Sequence, residues 1–170
     1  MQMGLLSFAA LLSASLGPQA ATPQADPATT TGALGLQVRV QLPNDKAVGS
    51  RKAGMLCLPN GRFTAQNFFP SEEYLKTLLL GAYQEKIGAP LQEKVKSLTV
   101  NIIKVNLCAN DYIFEKNKYK GTVDAGFEVV WSGSSISQEN ISLKIQDAQS
   151  ETEIAQTVVK AIVEILTNHP

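Results

Sequence analysis

The cleanest pattern in the chain runs from Lys118 to Trp131. Tyr119, Gly121, Val123, Ala125, Phe127, Val129 and Trp131 occupy every second position, and Lys118, Lys120, Thr122, Asp124, Gly126, Glu128 and Val130 stand between them. Successive side chains on a strand point to opposite faces. The alternation therefore predicts a long antiparallel strand with the first set on the core and the second in water. Lys118, Lys120, Asp124 and Glu128 then share the wet face and form the candidate partner surface.

Shorter patterns flank this strand. Leu36, Val38, Val40 and Leu42 alternate with polar residues and predict a first strand, ended by Pro43 and Asn44-Asp45. The apolar run Gly54 to Leu58 reads as a short second strand, and Pro59-Asn60-Gly61 as the turn after it. Arg62 to Phe69 is irregular and aromatic. Its Phe63, Phe68 and Phe69 either plug the end of the core or form an exposed patch for a partner. Pro70-Ser71 opens a helix, with Ser71 as N-cap and Glu72-Glu73 at the positive end of the dipole. Leu75, Leu78, Leu79, Ala82 and Tyr83 fall at helical spacing, Leu80 widens the stripe, and Gly88 stops it.

In the third strand, Leu98 to Cys108, the apolar parity changes. Leu98, Val100 and Ile102 keep one phase, and Ile103, Val105 and Leu107 the other. Such a slip means a bulge near Ile102-Ile103 or a strand covered on both faces. A loop over Ala109 to Asn117 leads into the central strand, and Ser132-Gly133-Ser134-Ser135 is a hairpin turn. Ile141, Leu143 and Ile145 mark one face of a fifth strand. Ser150-Glu151-Thr152-Glu153 is a capping box, opening a helix with Ile154, Val158, Ala161, Ile162 and Ile165 on one stripe and Ala155, Val159 and Leu166 beside it.

The order is strand, short strand, helix, three-strand meander, helix. Segregated strands and helices predict an α+β fold. The expected form is a twisted mixed, mainly antiparallel sheet of about four to five strands with two helices on one face. The first helix serves as the crossover that returns a strand parallel to the first. A single domain over 35–170 accounts for all of these elements.

The stretch before it reads differently. Leu5, Leu6, Phe8, Ala9, Ala10, Leu11, Leu12, Ala14 and Leu16 form an apolar run too short to span a membrane, and no charged residue occurs before Asp26. The run fits the apolar region of a signal peptide over 1–21; the competing reading is a buried N-terminal helix. Thr22 to Leu34 is rich in Pro, Ala and Thr and reads as a disordered linker over 22–34. Export would place Cys57 and Cys108, the two cysteines of the chain, where they can be oxidised. They form a disulfide or stay as two buried thiols.

Composition narrows the chemistry. Fifteen basic residues balance fifteen acidic ones, and aromatic residues are 6%. Neither a basic stripe nor a stacking platform marks a nucleic-acid binder. The one histidine, His169, lies next to the C-terminal residue, and no phosphate-binding glycine loop occurs. Asp124 and Glu128 share a face, but four strand residues separate them by roughly 13 Å, beyond a glycosidase pair. The residues thus point to no catalytic set, no metal site and no cofactor. Asn140-Ile141-Ser142 matches the glycosylation tripeptide, which also arises by chance.

The whole arrangement resembles the YajG-like and ABC-transporter-auxiliary lipoproteins of the bacterial envelope. The matching stretches are Leu36 to Leu42, the helix from Ser71, the meander from Leu98 to Ile145 and the helix from Ser150. Members carry a lipidated cysteine after the signal sequence, and none follows the apolar run here. The resemblance implies a non-catalytic accessory role and carries over no functional residue. Three functions follow as expectations. The first is a periplasmic or secreted accessory protein with an envelope protein partner and an association with the membrane. The second is a carrier of a small apolar ligand or lipid between helices and sheet. The third is an enzyme with a carboxylate site assembled from scattered residues.

Overall fold

The computed structural model describes residues 36–40, 46–112 and 115–168. The expected leader and linker, the end of the first strand at Leu42 and His169 lie outside the described residues. The described elements, in chain order, are β1 (Gln37–Val40), β2 (Ala47–Ala53), β3 (Leu58–Thr64), α1 (Glu72–Ile87), β4 (Val95–Tyr112), β5 (Glu115–Trp131), β6 (Ile136–Ala148) and α2 (Glu151–Asn168). Short 3-10 turns at Ala65–Asn67 and Leu91–Glu93 flank α1.

The fold is α+β, as the patterning implies, with six strands instead of four to five. The sheet runs β3-β2-β4-β5-β6, and β1 also pairs with β4. Both β1 and β2 lie parallel to β4, β1 along Ser97–Val100 and β2 along Val105–Ala109. The chain therefore returns parallel to its first strand after α1, as the crossover reading requires. The other pairings are antiparallel.

Periodicity missed two strands, β3 and, more completely, β2. Its Gly49, Arg51 and Ala53 lie opposite Val105, Leu107 and Ala109, on the core side of β4. Two of those three inward residues are small and the third is charged, so β2 leaves no apolar alternation. The apolar run Gly54 to Leu58 is not a strand but mainly a turn: residues 54–57 reverse the chain and β3 begins at Leu58. Gly54 and Cys57 both take positive φ, 76° and 49°, and close it. Pro59-Asn60-Gly61 is not a turn either. It lies inside β3, where the register against β2 slips between Ser50 and Lys52 and Gly61 has φ 109°. A glycine in a strand at positive φ accommodates such an irregularity. The expected long loop from Ala109 to Asn117 is also shorter, because β4 and β5 stay paired out to Tyr112 and Glu115.

The core lies on one face. Tyr119, Val123, Ala125, Phe127 and Val129 of β5 are buried, as the alternation predicts. On β4 Leu98, Val100 and Ile102 are buried, then Val105, Leu107 and Ala109, while Ile103 is 52% exposed. The register slips between Ile102 and Lys104. Of the two readings of the parity change, the bulge is therefore the correct one: Ile103 is the extra residue. Phe63, Phe68 and Phe69 are buried, which decides that segment for the core.

Both helices begin where the caps indicate. The Tyr74 amide donates to Ser71 Oγ (3.1 Å) and the Glu153 amide to Ser150 Oγ (3.2 Å). The Glu153 carboxylate reaches one residue further back than a standard capping box, accepting from the Gln149 amide at 2.7 Å. Gly88 caps α1 in the left-handed conformation. Leu75, Leu79 and Tyr83 of α1 join Ile154, Val158 and Ile162 of α2 in one apolar cluster with the inward residues of the sheet. In α2 the buried stripe includes Val163, while Ala161 and Ile165 are partly exposed, a rotation of the expected face.

Candidate interaction surface

The helices cover one face of the sheet; the other is lined by polar side chains. Cross-strand partners share a face, so the ladders assign the rows. Thr99, Asn101, Lys104 and Asn106 of β4 stand opposite Glu128, Gly126, Asp124 and Thr122 of β5. Those in turn stand opposite Gln138, Asn140, Ser142 and Lys144 of β6. Lys118, Lys120, Asp124 and Glu128 all lie on this face, since each pairs with a polar-face position or continues that parity.

Side chains on this face bond to one another across strands. Gln138 Nε2 donates to Glu128 (2.6 Å) and Ser142 Oγ to Asp124 (2.6 Å). Lys52 Nζ donates to Asn106 (2.9 Å), and Lys120 Nζ lies 3.2 Å from Asp147. Asp124 and Glu128, the two acids weighed as a catalytic pair, are thus each tied to a neutral neighbour on β6. Gly126 leaves an open depression lined by Thr99, Asn101, Ile103, Glu128, Gln138 and Asn140. A Cβ there would stand 2.9 Å from Asn140 Oδ1, so Gly126 sets the depth of the depression. The sequence pattern singled out β5 alone. Extending its parity across the turn would have found Gln138, Asn140 and Ser142, which alternate with Ile141, Leu143 and Ile145.

A second polar cluster went unread because its members are scattered in sequence. Arg51 of β2 donates to both the Tyr119 phenolic oxygen and the Glu151 carboxylate, and Tyr119 donates to Glu151 at 2.7 Å. The guanidinium carbon lies 5.5 Å from the Phe63 ring centre and 5.8 Å from that of Tyr119, within cation–π range. Glu151 sits in the first turn of α2, where the helix dipole favours a carboxylate. The cluster fastens the start of α2 to β2 and β5. Burial pushes the Tyr119 phenol above its ordinary pKa; Arg51 opposes that shift and Glu151 adds to it. This is the chemistry of a structural fastening: each group is already engaged by another.

Cys57 and Cys108 form a disulfide, with Cα atoms 5.4 Å apart. It joins the β2–β3 turn to β4, next to the pair Lys52–Cys108. Among the described residues no three His, Cys, Asp or Glu side chains gather to hold a metal ion, and no helix is long and apolar enough to cross a membrane.

No family model and no curated protein matches the chain. Among solved structures, that of protein XCC0632 from Xanthomonas campestris, of the DUF330 family, is similar at 10% identity and a TM-score of 0.36, covering 77% of this chain and 81% of that one. So distant a likeness carries no argument about this chain.

Proposed function

We propose that the protein is a non-catalytic accessory component of a bacterial envelope complex, exported to the periplasm, and that it binds a protein partner through the open face of its sheet. One observation carries this reading: apart from Ile103, Val130 and Ile136, one sheet face is lined by polar side chains, several of them bonded to one another, and no element among the described residues covers it. Such a broad, open surface offers many weak contacts and suits a macromolecule; small ligands favour concave, largely apolar pockets. The Cys57–Cys108 disulfide is compatible with an oxidising compartment. The resemblance to the auxiliary lipoproteins, drawn from the order of elements, supports the same role. The carrier reading has less support. Leu75, Leu79, Ile154, Val158 and Ile162 have no exposed surface between helices and sheet, which leaves a ligand little room.

Photo-crosslinking in cells tests the proposal. A crosslinking residue at Gln138, on the open face, is expected to give a discrete adduct with an envelope protein. The same residue at Gln156, exposed on α2, is expected to give none. Asp124→Lys with Glu128→Lys should abolish the Gln138 adduct while leaving the melting temperature nearly unchanged. An adduct from Gln156 and none from Gln138 would overturn the assignment of the face.

A further inference from the structure

The two edges of the sheet differ. β3 closes one side, and it carries Pro59, Gly61 at positive φ and two register slips against β2. Such features blunt an edge against further pairing. β6 closes the other side, and no strand among the described residues pairs with its outer edge. It contains neither Pro nor Gly and keeps an unbroken register with β5 from the pair Val130–Ile136 to the pair Gly121–Ile145. A long regular edge presents a row of unpaired amides and carbonyls that another strand can take up.

The side chains of β6 restrict what that strand can be. On the covered side Ile141 and Leu143 are half-buried, while Ala125 and Val123, opposite them on β5, are fully buried. One more strand would complete their cover. Glu139 is the one charge on that side between Ile136 and Ile145, and it is engaged within its own chain. An inward charge discourages pairing, so Glu139 limits the registers that fit. On the open side Lys144 is exposed, and no carboxylate among the described residues forms an ion pair with it. Asp124 and Glu128 are unmatched in the opposite sense. Each accepts from a neutral side chain, and Lys104, opposite Asp124, forms no ion pair with it.

A second copy of the chain matches both needs at once. A two-fold axis normal to the sheet pairs β6 with itself antiparallel and keeps the covered sides together. With the axis at Ser142, Ile141 stands opposite the partner's Leu143 and Leu143 opposite the partner's Ile141, so four half-buried apolar side chains meet. Asn140 stands opposite the partner's Lys144, in the row of Gly126. Strands lie about 4.8 Å apart, so the partner's Lys144 starts two strands, about 10 Å, from Gly126. Its flexible stem leads across Asn140 to the depression that Gly126 leaves open. Asp124 and Glu128 stand one row to either side of that depression. Moving the axis to Leu143 sets Glu139 against the partner's Asp147, and moving it to Ile141 leaves the partner's Lys144 beside Glu128 alone.

We propose that the protein forms a two-fold dimer in which β6 pairs antiparallel with β6 of a second copy, in the register centred on Ser142. Backbone bonds along the edge hold the copies together, and Lys144 of each reaches the Asp124 and Glu128 of the other. The same lysine guards the edge, because a foreign strand that brings no acid to this place leaves its charge unmatched. The dimer joins two sheets into one and sets two open faces side by side, so a partner with repeated sites would meet both at once. This inference goes beyond the partner contact on the open face and does not rest on it.

Sedimentation of the purified chain tests the proposal with no other protein present. The unsubstituted chain is expected to run as a dimer that dissociates on dilution. Lys144→Glu should weaken the dimer by at least about tenfold, and Asp124→Lys with Glu128→Lys should do the same. Mixing the two variants should restore a dimer with one copy of each, because the acid introduced in one copy meets the lysines introduced in the other. Ser142→Cys should give a covalent dimer under mild oxidation, since the two copies of that residue face each other across the axis. Gln138→Cys should give none, because its counterpart lies eight strand residues away, roughly 27 Å. Circular dichroism should be unchanged in all of these variants, whose substituted side chains reach the surface. A monomeric unsubstituted chain would overturn the proposal. So would an undiminished dimer in either charge variant, a mixture that stays monomeric, or a Gln138→Cys chain that crosslinks as readily as Ser142→Cys.

Discussion

The two faces of the sheet share every backbone hydrogen bond but not their energetics. On the covered face Val123, Ala125, Phe127 and Val129 pack beneath the helices, so stability there depends on filled volume. On the open face Asp124, Glu128, Gln138 and Ser142 touch chiefly one another at exposed positions, where a polar pair contributes little. The covered face constrains residue size and the open face does not. A chain of this kind can change its surface chemistry residue by residue without disturbing the fold.

Phe127→Ala probes the covered side most strongly. Phe127 is 4% exposed at mid-strand, and removing its ring should cost ~3–5 kcal/mol in chemical denaturation. A loss below 1 kcal/mol would mean the face is loosely packed. Tyr119→Phe sharpens the comparison, because Tyr119 lies on the covered face yet carries a polar head. Losing its bonds to Arg51 and Glu151 should cost about 1–2 kcal/mol near neutral pH. The difference should depend on pH. The folded phenol holds its proton to higher pH than a free tyrosine, so its contribution is complete below the unfolded pKa of about 10 and is lost as pH rises through the raised folded value. The alkaline fall in stability should therefore be shallower in the Phe variant. Glu128→Ala, on the open face beside Phe127, should change stability by no more than about 0.5 kcal/mol. A larger loss would show that the Gln138–Glu128 bond does more than an exposed pair should.

What was legible in the sequence follows the same division. Where a strand packs its inward positions with apolar side chains, as β5 does, the alternation gives its face and its register. Even the β4 bulge could be read, because Ile103 displaces the apolar parity by one. The helix ends could be read because Ser71, Gly88 and Ser150 act through local backbone bonds. β2 could not be read. Its inward Arg51 is neutralised by Glu151, a hundred positions later, and its Gly49 leaves no room for a side chain: a Cβ would stand 1.9 Å from Val105 O. Such roles depend on partners that no local window contains. The β2–β3 turn misled for another reason. Apolar residues ordinarily signal burial, and Met55, Leu56 and Leu58 are held outside. On the open face β5 alone was marked out in the sequence, and the contribution of β6 emerged only from the ladder.

The arrangement around β4 also sets an order of events. β1 and β2 both use the same edge of that one strand, at Ser97–Val100 and Val105–Ala109. A ribosome delivers the N-terminal strands first, and at that stage the edge they require has not been made. Apart from the β2–β3 hairpin, the first third of the domain must wait for residues roughly fifty to sixty positions downstream. Pairings so distant along the chain slow folding and leave strand edges open in the interval. The β4–β5–β6 meander, whose pairings are local, can assemble alone and then act as the template onto which the earlier strands close. Newly made chains interrupted before Val95 would thus lack the strand that organises the sheet, and β1 and the open edge of β2 would be exposed to proteases and to one another.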